Sequence, residues 1–333
     1  MKKIMIAIVA VVVLGLIAHI GFNKQSQSPR SSSITQEPIK IGVFVYPGFG
    51  TFYIAKEKGF FQKHGVNVDL VQVSADNWLP AVEGNKVQMV TFTSDVMPIL
   101  ADSGVAAKQI FSTDISYGGD GLVVTNDIQK ISDLKGKKVY VTYGFPGHFF
   151  FRYLAGKNGL SYKDVELINL NPEEVGSSFV SGKINAGVTY EPWLSKAKER
   201  EDGKVLVTSR EEPGIITDVI VARNDVISTR REDVKRVMKA FFDAVDWWEK
   251  NTDEGNAIVA KNFKLTPEEF APMRDTIKLS NLQINLEKFD KSKPLNVFEL
   301  AEKAGEIYFQ DGVIKTKASG DAVTDSSLLN ELR

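Results

Sequence analysis

The chain predicts an α/β fold of two lobes, joined by two crossing strands, with a hinged ligand cleft between them. Three observations predict it. Residues 40–73 read as strand, glycine-rich turn, helix and strand. The same unit recurs 97 positions later, at residues 137–170. Apolar strands near residues 121–125 and 217–224 sit one before and one after the second repeat.

The first unit is legible residue by residue. Residues 41–46 form a β-rich apolar run, and Pro47-Gly48-Phe49-Gly50 breaks it as a tight loop would. Thr51 is the expected cap of a helix that ends at Lys58-Gly59. Residues 66–73 alternate apolar and polar, as a half-buried strand does. A βαβ unit makes parallel strands, and ligands bind where strand C-termini meet helix N-termini. In the repeat Tyr46 falls on Tyr143, Gly50 on Gly147, Gly59 on Gly156, and Ser94-Asp95 on Glu191-Pro192.

Composition sets the outer limits. With 333 residues, 43% of them hydrophobic, the chain suits two domains with real cores. The net charge of −1 leaves no basic footprint for nucleic acid. Having no cysteine excludes disulfides, thiolate catalysis, thiolate zinc sites and iron–sulfur clusters. Three histidines, His19, His64 and His148, argue against a histidine-rich metal site. No metal or cofactor is expected.

The N-terminus is an export address. Lys2-Lys3 precedes an apolar run over residues 4–22. At about 1.5 Å per residue the run reaches roughly 28 Å, near a bilayer's core thickness. Residues 1–22 fit a signal peptide or an N-terminal membrane anchor. Leu16, large for its place before Ala18, leaves the choice open. Either way the globular part faces outward, in the periplasm or on the outer face of the cytoplasmic membrane. Residues 23–38 are a polar spacer.

Further elements follow in order. A helix starts near Asn77-Trp78 and ends at Gly84-Asn85. Strands are expected at residues 87–93, 105–113 and 121–124, and a short charged helix at 128–135. After the repeat come a strand at 184–190, an edge strand at 205–207 and the return strand at 217–223. Helices then dominate, among them 267–277 and 294–309, and the tail after Gly312 reads as loose. Lobe 1 is expected to comprise residues 39–124 and 218–333, and lobe 2 residues 125–217. Two such crossings make a hinge.

The stretches YPGFGTFYIAKEKGFFQKHGVNV (residues 46–68), GGDGLVV (118–124), ISDLKGKKV (131–139), AGVTYEPWLSKA (186–197) and TDVIVAR (217–223) carry a family resemblance. Over about residues 39–310 the chain resembles substrate-binding proteins of bacterial ABC importers in the nitrate, sulfonate and taurine group, which also includes thiamine-precursor binders. The resemblance implies a type II periplasmic-binding-protein fold, cleft closure, delivery to a permease driven by an ATPase, and a monomer. Many members carry a lipid-anchor cysteine that is missing here.

Cleft residues should sit just past the strand ends. The aromatic candidates are Tyr46, Phe49, Trp78, Tyr117, Tyr143, Phe145, Tyr190 and Trp193, the last also suited to core packing. The acidic ones are Asp95, Asp120, Glu191 and Asp218, with Ser94 and His148 as polar neighbours. No Arg or Lys lies in these turns. Anion receptors present Arg or several helix N-termini. Carboxylates among aromatic walls suit an N–H donor or a cation. The expected ligand is a small nitrogenous compound, such as an aminopyrimidine, with a sulfonate-type solute as the family's alternative. Plainer roles stand beside this. Asp95 suits a helix cap, Asp120 a turn, and Asp218 a bond across the hinge. Two other functions remain: a membrane-tethered ligand sensor, and a pyrimidine-related enzyme, for which no Ser/His/Asp set or Gly-x-Ser-x-Gly is present.

Overall fold

Both βαβ units become parallel strand pairs. The computed structural model describes residues 37–333. The signal-peptide or anchor segment and most of the spacer lie outside them. The strands are β1 (Ile39–Val43), β2 (Val68–Gln72), β3 (Met89–Thr93), β4 (Ala107–Ser116), β5 (Asp120–Thr125), β6 (Lys138–Val141), β7 (Glu166–Asn169), β8 (Ala186–Tyr190), β9 (Gly203–Thr208), β10 (Thr217–Arg223) and β11 (Ile277–Leu279). One sheet has the order β11-β4-β10-β3-β1-β2, and the other β7-β6-β8-β5-β9.

The sheets share one plan. In the first, β1 lies parallel to β2 and β3. In the second, β6 lies parallel to β7 and β8. Each then takes one antiparallel strand from the other side of a crossing. β5 follows β4 in sequence but pairs with β8 and β9. β10 follows β9 but pairs with β3 and β4. The crossings therefore run between Ser116 and Asp120, and between Thr208 and Thr217.

Several elements differ from expectation. β1 stops at Val43, because Pro47–Phe49 is already a 3₁₀ turn running into the helix Gly50–Glu57. Thr51 is no cap: it lies inside that helix, and its hydroxyl donates to the Gly48 carbonyl at 2.9 Å. The charged segment near 128–135 is only a 3₁₀ turn at Ile131–Leu134. The helix from Pro267 ends at Arg274, and Ile277–Leu279 joins the first sheet instead. The tail is not loose: Val323, Leu328 and Leu329 are buried in the first core.

The helix Val297–Gln310 fastens both halves. Val297 and Ala301 enter the core of the first sheet, while Leu300, Ala304 and Tyr308 enter that of the second. The helix starts cleanly because the Asn296 side chain accepts from Phe298 N and Glu299 N.

Candidate functional site

The two sheets face each other across a cavity of about 30 Å³, room for about one water. Phe44, Tyr46, Phe49, Phe92, Phe145 and Tyr190 form its aromatic walls. Pro146 and Thr93 complete the lining with two carboxyls, Asp120 and Asp218. No Arg or Lys lines it. The walls meet edge-on: Tyr46 and Tyr190 centroids lie 6.0 Å apart at 82°, and Phe92 and Phe145 5.1 Å apart at 71°. Edge-to-face rings are a favourable packing, so the cleft is closed on itself.

Topology explains the acid positions. In register, Asp218 on β10 pairs with Thr93 on β3 on one side and Asp114 on β4 on the other. One row thus brings two carboxyls and a hydroxyl together. All three residues are buried. Asp120 opens β5 opposite Tyr190. Ser116 donates to Asp120 Oδ2 at 2.6 Å, and the Ser116 and Ser209 hydroxyls are 2.7 Å apart. Ser209 also accepts from Gly118 N at 2.8 Å, so the Asp120 carboxyl is tied to both crossings.

Burial governs the charges here. It raises Asp120 to about 7, with only the Ser116 hydroxyl working strongly against it. Asp114 also rises to about 7 through burial. Asp218 is pushed well above the carboxylate range, by burial and then by the charges of Asp114 and Asp120. Tyr46 is likewise raised by burial and by these acids. Tyr46 Oη, Thr93 Oγ1, Asp114 Oδ2 and Asp218 Oδ2 have no hydrogen-bond partner. A buried polar atom without a partner costs about 1–3 kcal/mol, so the three on cavity-lining residues point to a ligand, and the adjoining Asp114 and Asp218 oxygens to a shared proton.

The structure brings together Tyr46, Phe49, Asp120, Phe145, Tyr190 and Asp218 of the expected residues. Trp78 stands just behind them, 4.6 Å from Phe92 between ring centroids. The others lie elsewhere. Ser94 donates to Val297 O at 2.9 Å. Asp95 accepts from Tyr308 Oη at 2.8 Å, and burial raises it to about 6. Tyr117 lies between the Lys278 ammonium at 3.6 Å and the Arg210 guanidinium at 4.5 Å. Tyr143 is 39% exposed and donates to Leu167 O at 2.7 Å. His148 is buried against Asp311, 2.7 Å away, and burial keeps its pKa low. Glu191 accepts from Ser195 N at 3.0 Å and Ser195 Oγ at 2.8 Å, which fixes the start of the helix Trp193–Ala197.

Sequence reasoning missed Phe44, Phe92 and Asp114, while Thr93, Phe145 and Pro146 fall within strand-end segments expected to line the cleft. Asp114 had a usable signal. It is an acid inside an otherwise uncharged strand end, opposite a second acid on the return strand.

The NMT1-like family profile matches residues 33–262. A putative aliphatic sulfonates-binding protein of Bacillus subtilis is 26% identical over 342 residues, covering 99% of this chain and 97% of that one. The periplasmic aliphatic sulphonate binding protein SsuA from Escherichia coli superposes with a TM-score of 0.73 at 16% identity, over 88% of this chain and 93% of that one. The desulfurization enzyme DSZB superposes with a TM-score of 0.61 at 16% identity, over 89% of this chain and 98% of that one. The two superpositions show the fold alone, and this fold hosts both binding and catalysis. The profile covers most of the chain, so the chain belongs to the NMT1-like family.

Proposed function

We propose that the cleft captures a small nitrogenous solute, cationic or rich in N–H donors, and that closure delivers it to the importer's permease. The carrying observation is the buried acidic row beside an aromatic box with no basic side chain. An amidine-like ring or ammonium would stack between the walls and donate to Asp218 and Asp120. A sulfonate, as named for the Bacillus relative, would meet the same carboxyls without a cation to hold it. The hinge of this motion is assigned to the two crossings, near residues 117–119 and 209–216, with a lobe on each side. Those boundaries fall short of 125, because β5 already belongs to the second sheet.

In this reading the protein acts as a receptor. His148, the one histidine near the strand ends, is turned away onto Asp311. Among the described residues no helix is long and apolar enough to cross a membrane. Attachment, if retained, rests on residues 4–22, with the folded part acting as a monomer outside the membrane.

A thermal-shift panel tests the ligand class. It would hold aminopyrimidines, benzamidine, choline-like amines, taurine, alkanesulfonates and nitrate. A ligand at a hundred times its Kd adds about 2.7 kcal/mol. Stabilisation by nitrogenous members is expected. Stabilisation by the anions alone would keep the receptor and discard this ligand class.

A further inference from the structure

Asp114 does not line the cavity, yet it bears directly on the carboxyl that does. It is fully buried, is the register partner of Asp218, and is covered by the turn at Gly48. A side chain at Gly48 would overlap the Asp114 carboxylate, so the turn is pressed onto it. Asp114 Oδ1 accepts from Thr113 Oγ1 at 3.0 Å, while Oδ2 has no partner. Asp218 Oδ2 has none either. Two buried carboxyls side by side cannot both carry charge cheaply. One proton between them satisfies both orphan oxygens at once.

We propose that Asp114 is a positioning residue that sets what the cleft accepts: it holds Asp218 as an acid through one shared proton, and a cationic ligand displaces that proton. The second half rests on the nitrogenous reading of the site, while the first does not. The exchange balances. The pair with its proton carries one negative charge. When a monocation enters and the proton leaves to solvent, the pair and ligand together still carry one negative charge. A neutral donor binds with the proton retained. An anion must sit beside a negative charge that no cation of the cavity lining offsets.

Other ionisable groups face the pair. Asp120 comes from β5, Asp95 from the turn after β3, Tyr46 from the turn after β1, and Tyr190 from the end of β8. Arg274, closing the helix Pro267–Arg274, acts on Asp114 from the outside and is itself bonded to Glu249 at 2.6 Å. Asp120 and Tyr46 feel the charge of the pair, so their values fall when Asp114 becomes an amide. Burial raises both members, so they bind protons more tightly folded than unfolded. Their stabilisation is full at low pH and is lost as pH rises through the folded values.

The test uses the full chain without ligand. Thermal melts are compared from about pH 5 to about pH 8 for wild type, Asp114→Asn and Asp218→Asn. An amide can donate to the remaining carboxylate, so it replaces the shared proton. The wild-type Tm should fall with pH more steeply than that of either variant. A wild-type slope retained in Asp114→Asn would overturn the shared proton, since burial of Asp218 alone would then explain it. Should a variant not fold, calorimetry of wild type with benzamidinium in two buffers of different ionisation heat decides. Release of about one proton per ligand is expected near pH 6, and binding with no proton release would overturn the exchange. Binding of nitrate or an alkanesulfonate in place of benzamidinium, with the slope intact, would remove the nitrogenous ligand and leave the shared proton standing.

Discussion

Tyr308 reaches from the helix Val297–Gln310 to donate to Asp95 Oδ2 at 2.8 Å, and Phe145 O lies 3.1 Å from the same hydroxyl. Asp95 is 2% exposed, so that hydroxyl is its main source of hydrogen bonding from a distant element. Tyr308→Phe should cost about 1–3 kcal/mol. The hydroxyl stabilises the ionised carboxyl, so the loss should be larger above the Asp95 value of about 6 than below it. Melts of the variant at two pH values check this, and an equal loss at both would show that charge plays no part. At this scale the sequence was a partial guide. Asp120 and Asp218 were legible because they abut the crossings. Asp95, His148 and Glu191 sit at equally suggestive strand ends, yet they turn to Tyr308, Asp311 and Ser195. Side-chain direction depends on distant partners, and sequence spacing does not carry it.

The repeated elements show what a sequence period can carry. Shifted by 97, β3 (Met89–Thr93) becomes β8 (Ala186–Tyr190) without a slip. The neighbouring pair slips by one: Ile39 faces Val68, whereas Lys138 faces Glu166. Hydrophobic alternation fixes which residues point inward, while turn length fixes the pairing, and only the first is visible in the chain. The loops after β2 and β7 meet away from the crossings, where Asn171 Nδ2 donates to Asp76 Oδ1 at 2.9 Å. This is a bond between the lips of the cleft, and it forms only when they touch. Asp76→Ala should remove roughly 0.5–1 kcal/mol from closure, a two- to fivefold weaker Kd for the panel's best binder. The melt without ligand should barely move, because Asp76 is exposed and supports neither core. A calorimetric Kd equal to wild type would remove the bond from the closing energy.

Across the molecule, the exchange of one strand in each direction makes the two sheets a hinged pair rather than separate domains. Apolar patterning revealed that exchange, since β5 and β10 each carry an apolar run, Leu122–Val124 and Val219–Ala222, one before and one after the second repeat. It did not reveal how the aromatics of both halves close to a cavity of about 30 Å³, because ring packing across the cleft joins residues far apart in the chain. The central claim is that this closed space selects nitrogen-bearing donors over anions. Native mass spectrometry of the protein purified from cells that export it, with the released small molecule identified, tests that most directly. The account predicts a cation, zwitterion or heteroaromatic amine with N–H groups for Asp218 and Asp120. Nitrate, or a sulfonate without an amine, in the cleft would contradict it.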